Sequence, residues 1–96
     1  MSNPNSEEFY TNLKSQLQDT SIWPNIYLYK FIIPTKPDQS AKLLNIFDNM
    51  GAVINSKSSK TGKYTSFSIK VKLQDPNAVV EKYKEVTKQI KGVISL

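Results

Sequence analysis

The stretch from Tyr64 to Gln74 alternates without a break. Thr65, Phe67, Ile69, Val71 and Leu73 share one parity, and Tyr64, Ser66, Ser68, Lys70 and Lys72 share the other. Successive side chains of a strand point to opposite faces, so this pattern predicts a strand with one dry face and one wet face. A slip of one residue would turn the whole apolar set into water, so the pattern also fixes the register. Such a strand needs neighbours in a sheet and a layer of helices on its dry side.

The remaining segments supply those parts. Ile26 to Ile33 is rich in Ile, Tyr and Phe on both parities, as a central strand requires, and Pro34 and Pro37 close it. Leu43, Ile46, Phe47 and Met50 stand at i, i+3, i+4 and i+7, the core stripe of an amphipathic helix. That helix is expected to be capped by Asp38 or Ser40 and to stop at Gly51 in the left-handed conformation. Ala52 to Asn55 reads as a short strand and Lys57 to Lys63 as a polar turn. Asp75-Pro76 places an N-cap before a proline at the first helical position. Val79, Tyr83, Val86 and Ile90 mark the helix that follows, with Lys88 and Lys91 in its last turn, Gly92 at its end and a closing strand over Val93 to Leu96. Before all of these, Asn5 and Glu8 have capping-box spacing, and Phe9, Leu13 and Leu17, with Tyr10 beside them, form an apolar stripe ending before Ser21.

The expected fold is therefore α+β: a ferredoxin-like βαββαβ sandwich, with a four-stranded antiparallel sheet, two helices on one face and an additional N-terminal helix. Residues 1–22 form the leading tail and helix, and residues 23–96 form the sandwich domain. The open face of the sheet is expected to carry Ile26, Leu28 and Ile32 beside Lys30, with the leading helix as one candidate cover for that patch and self-association as the other.

Composition narrows the function. The chain has no His, Cys or Arg, so the usual general bases, thiolates, transition-metal ligands and bidentate phosphate clamps are missing. No catalytic residue, metal site or cofactor is expected. Asp38 and Asp75 read as caps, while Glu81 and Glu85 read as solvated partners of Lys84 and Lys88. All 13 basic residues are lysines and the net charge is +5, which suits solubility and encounter with anionic partners. Met1 to Asn5 has no apolar core of a signal peptide, and Ile26 to Ile33 is too short to span a bilayer, so a cytoplasmic, non-membrane protein is expected.

The candidate contact surface is the turn Lys57, Ser58, Ser59, Lys60, Gly62 and Lys63 with Tyr64, joined by Lys30, Lys70 and Lys72 and by Ser66 and Ser68 on the open face. Hydroxyls, ammonium groups and a glycine in one turn can hold an anion. A second function class is RNA binding, since RNA-recognition modules stack bases on aromatics of an open sheet face. Here Tyr64 has Ser66 and Ser68 for neighbours while Phe67 points to the core, so the stacking platform is thin.

Ser58-Ser59-Lys60, then Gly62-Lys63-Tyr64-Thr65-Ser66-Phe67-Ser68, resembles the Ser-Ser-Lys-Gly-x-Tyr-x-Ser stretch of the YbeD-like family of small bacterial proteins of unknown function. Tyr29-Lys30-Phe31 after Trp23-Pro24, and the closing Gly92-Val93, are similar to the same family, over roughly residues 23 to 96. Thr61 is an extra residue in the turn. The resemblance implies an ACT-like fold. Pro37, Leu43, Phe47, Gly51 and Ile54 match the ACT spacing, whereas Thr35 replaces its Asp and Asp38 its ligand-approaching Gly. The implied function is a non-enzymatic regulatory or adaptor domain that binds a protein partner, itself or a small ligand.

Overall fold

The structure, a computed structural model, describes residues 6–96. Its elements are α1 (Ser6–Thr20), β1 (Asn25–Pro34), α2 (Pro37–Ile46), β2 (Val53–Ser58), β3 (Tyr64–Leu73), α3 (Pro76–Gln89) and β4 (Ile94–Ser95). The four strands form one antiparallel sheet in the order β2-β3-β1-β4. The fold is α+β, with three helices.

The pairing of β1 with β3 runs from Asn25↔Leu73 to Pro34↔Tyr64 without a bulge. It sets Tyr29, Phe31 and Ile33 beside Ile69, Phe67 and Thr65 on one face, all buried. α2 and α3 close over that face with Leu43, Ile46, Phe47, Val79, Tyr83, Val86 and Ile90. β3 alternates buried and non-buried residues along its whole length, as the sequence pattern requires. Five aromatic rings cluster at the centre. Tyr29 packs edge-on to Tyr27 and Tyr83 and near Phe31 and Phe47. Its hydroxyl donates to the Val79 carbonyl at 2.9 Å, and the Tyr27 and Tyr83 hydroxyls share a hydrogen bond of 2.8 Å. These bonds remove the cost of burying phenol oxygens.

Several local expectations change. α2 starts at Pro37, with Lys36 in the capping position and no side-chain cap, so neither Asp38 nor Ser40 caps it. A proline fits the first helical position because its missing N–H would be unpaired there anyway, which moves the start forward. α2 ends at Ile46, and Asn49 as well as Gly51 turns left-handed before the chain enters β2. β2 begins at Val53 and continues to Ser58, so Lys57 and Ser58 are strand residues and the turn narrows to 59–63. Asp75 does cap α3, accepting from the Ala78 N–H at 2.8 Å, but Lys91 lies beyond that helix's end. β4 is only Ile94–Ser95. Glu85 pairs with Lys82 at 3.2 Å, and Lys84 reaches across to Glu7 of α1 at 3.4 Å instead of serving its own helix.

α1 packs on α3, and among the described residues no element covers the open sheet face. Tyr10, Leu13 and Leu17 turn inward, while Phe9 is 57% exposed. The indole N–H of Trp23 donates to the Leu17 carbonyl at 3.0 Å, and Lys14 donates to Asn77 at 3.3 Å. Asn5, the expected cap, lies outside the described residues.

Burial raises the Tyr29 and Tyr83 hydroxyl pKa values well above the ordinary phenol range, reinforced by Tyr83 and Tyr27 beside Tyr29 and by the Tyr27 hydrogen bond to Tyr83. The unfolded chain ionises its tyrosines near pH ~10. A folded pKa above the unfolded one gives stability that is complete below that pH and declines above it. The unfolding free energy from urea titrations should therefore hold to about pH 9.5 and then fall, by on the order of 1.4 kcal/mol per pH unit for each tyrosine. Tyr83→Phe should make that fall about half as steep relative to wild type. In the same assay at neutral pH, Phe67→Ala should cost about 3–5 kcal/mol and Ser68→Ala no more than about 0.5 kcal/mol.

Candidate functional site

The open face of the sheet is built by strand parity. Residues directly opposite in an antiparallel pair share a face, so Ile26, Leu28, Lys30 and Ile32 of β1 stand with Lys72, Lys70, Ser68 and Ser66 of β3. Val53, Asn55 and Lys57 of β2 join them opposite Lys70, Ser68 and Ser66, and Ile94 of β4 joins opposite Ile32. Lys30, Lys70 and Lys72 are exposed on this face, as expected. Ile26 is 65% exposed, Leu28 42%, Val53 59% and Ile94 51%.

At one end of the face lies a shallow cavity of about 440 Å³. Ile32 and Ile94 form its apolar floor, and Tyr64, Ser66, Lys57, Ser58 and Ser59 ring it. The turn is tied by its own backbone. The Ser59 N–H donates to the Tyr64 carbonyl at 2.8 Å, and the Gly62 N–H donates to the Ser59 carbonyl at 3.0 Å. Gly62 sits at φ +74, a conformation that side chains rarely adopt. The Ser59 hydroxyl accepts from the Tyr64 N–H at 3.2 Å, and the Ser66 hydroxyl donates to the Lys57 carbonyl at 3.3 Å. These hydroxyls are engaged in holding the hairpin. The structure thus brings Lys57, Ser58, Ser59 and Tyr64 together with Ser66. Lys60 and Lys63 belong to the turn but do not line the cavity, and Lys30, Lys70 and Lys72 lie further along the same face.

Sequence reasoning missed Ile94 and Val53. Their place on this face follows from the β1–β4 and β2–β3 registers, which a two-residue and a polar strand do not announce. It also missed a second cavity, of about 430 Å³, where the β1–α2 corner meets the end of α3. Lys36, Lys42, Lys88 and Lys91 surround it with Asp38, and the buried Gln39 side chain donates to the Lys91 carbonyl at 2.9 Å. These lysines come from segments far apart in the chain, so no spacing signals the cluster.

Charge is segregated between the two layers. Lys30, Lys57, Lys60, Lys63, Lys70 and Lys72 lie on strands or in the β2–β3 turn, where there is no carboxylate. All eight acidic residues, Glu7, Glu8, Asp19, Asp38, Asp48, Asp75, Glu81 and Glu85, lie on helices or at their ends, against the other seven lysines. The net positive charge of the chain therefore resides on the sheet side. Among the described residues there is no cluster of potential metal ligands, and no helix is long and apolar enough to cross a membrane.

No protein-family model matches the chain, and no curated protein matches it. The fold does have a solved counterpart. The solution structure of protein HP0495 from H. pylori, a structural-genomics target, aligns with a TM-score of 0.61 over 78% of this chain and 86% of that one, at 20% identity. At that identity the likeness is one of fold.

An apolar floor beside the Lys57 ammonium group suits an apolar anion. Anilinonaphthalene sulfonate should bind the folded protein with a rise in fluorescence. Ile32→Glu, which puts a carboxylate on the cavity floor, should abolish that rise while leaving the urea midpoint near that of wild type.

Proposed function

We propose that this protein is a non-enzymatic regulatory or adaptor domain, with the ferredoxin-like plan and a place in the YbeD-like family, acting in the cytoplasm. Its open sheet face is a contact surface for a segment of another protein that combines aliphatic and acidic residues. The observation that carries this reading is the segregation of charge. Uncovered aliphatic side chains lie among lysines on a face whose strands hold no carboxylate. Aliphatic burial supplies affinity, while complementary charge supplies encounter rate and choice of partner.

Two other partners fit less well. A second copy of the chain would bring lysines against lysines, which like-charge repulsion opposes. Single-stranded RNA would satisfy the charge but needs aromatic faces for stacking. Tyr64 is the one aromatic residue on the open-face parity of the strands, because Tyr27, Tyr29, Phe31 and Phe67 all belong to the helix-facing parity. The ring of lysines around the second cavity supports a small anion as a further ligand class.

Fluorescence anisotropy decides between these classes. Labelled peptides carrying both valine and glutamate should bind, and peptides carrying valine and lysine should not. The double variant Lys70→Glu/Lys72→Glu should weaken binding about tenfold, with an unchanged circular dichroism spectrum. Binding of single-stranded RNA with a steep salt dependence, together with no peptide binding, would replace the protein partner by a nucleic acid.

A further inference from the structure

We infer that the uncovered half of the β1 edge, from Asn25 to Tyr29, accepts the acidic segment of the partner protein as an added strand. This rests on the reading above and says how the partner is held. β1 is paired with β3 along its whole length, but β4 pairs only with Phe31 and Ile32. The Leu96 N–H donates to the Lys30 carbonyl at 2.9 Å, which shows that the backbone groups of Lys30 face the β4 side. Within a strand that direction alternates, so Ile26 and Leu28 also turn their N–H and C=O groups to that side, past the end of β4. The Ile26 N–H is taken by the Asn25 side chain at 2.7 Å. Among the described residues, no strand lies beside the Ile26 carbonyl or either backbone group of Leu28.

Sheet edges are normally protected by charge, proline, bulges or brevity. The opposite edge, β2, follows that rule with Ser56, Lys57 and Ser58. The β1 half-edge does not: it is regular, and it presents Ile26 and Leu28 to water. Lys72 and Lys70 stand directly across from those two residues, and Lys30 follows two residues on. An incoming strand would complete the open backbone bonds, lay aliphatic side chains against Ile26 and Leu28, and bring carboxylates to the lysines. Charge complementarity selects an acidic partner over a second copy.

The probe is an acetylated octapeptide, Val-Thr-Glu-Thr-Val-Thr-Glu-Thr, whose valines and glutamates share one face of a strand, with two N-methylated forms, one methylated at the amides of the valines and glutamates and one at the amides of the threonines. Edge pairing predicts that one pattern abolishes binding and the other leaves it within about threefold, because only one edge of the peptide faces β1. On the protein side, Leu28→Pro removes a donor that points away from β3, so the β1–β3 ladder stays whole. It should weaken binding about tenfold relative to Leu28→Ala. Equal binding of both methylated forms and the parent peptide would overturn edge pairing while leaving the open face as the contact surface. No binding by any form would overturn both. A wild-type dimer in sedimentation that Leu28→Pro dissociates would assign the edge to a second copy and overturn the partner assignment.

Discussion

The molecule is organised by one pairing, the unbroken antiparallel ladder between β1 and β3. Its register decides which residues of two long strands face the helices and which face water, and a slip of one would exchange the two sets. The core follows from it. Tyr29, Phe31, Ile69 and Phe67 form a patch against which Phe47 and Tyr83 pack, and the phenol oxygens find partners only because that register carries them under α3. The open face proposed as a contact surface follows from the same ladder, since Ile26, Leu28 and Lys30 lie opposite Lys72, Lys70 and Ser68 on the other side of the sheet.

Much of this was legible from local pattern. The alternation of β3 and the Asp75-Pro76 start of α3 are strong because each rests on short-range chemistry: side-chain period, a capping carboxylate and a fixed φ. What could not be read depends on distant partners. Ser56 to Ser58 has weak strand propensity and becomes strand because Phe67 to Thr65 lie beside it. Lys84 has Glu81 three residues before it on its own helix, yet it meets Glu7 because α1 lies alongside. The candidate surface was half legible for the same reason. Strand parity identified Lys30, Lys70 and Lys72 as neighbours on one face, whereas the cavity floor needs Ile94, which only the β4 register brings to Ile32.

The division of charge has a physical effect larger than any one lysine. A layer holding only cations, backed by a layer near neutrality, gives the molecule an oriented field. Such a field would steer any acidic partner toward the sheet and away from the helices before contact forms. Individual surface ion pairs on the helices contribute little to stability, so this asymmetry acts mainly on encounter.

α1 is joined to the rest by three half-buried side chains, by solvent-exposed polar contacts to α3 and by the indole bond from Trp23 in the α1–β1 connection. None of the fully buried core side chains belongs to it. Its backbone bonds can therefore open without disturbing the sheet, in a low-energy excursion well short of global unfolding. The expected consequence is two layers of cooperativity: a sandwich that melts as a unit, and an outrigger helix that detaches first and bares the outer flank of α3.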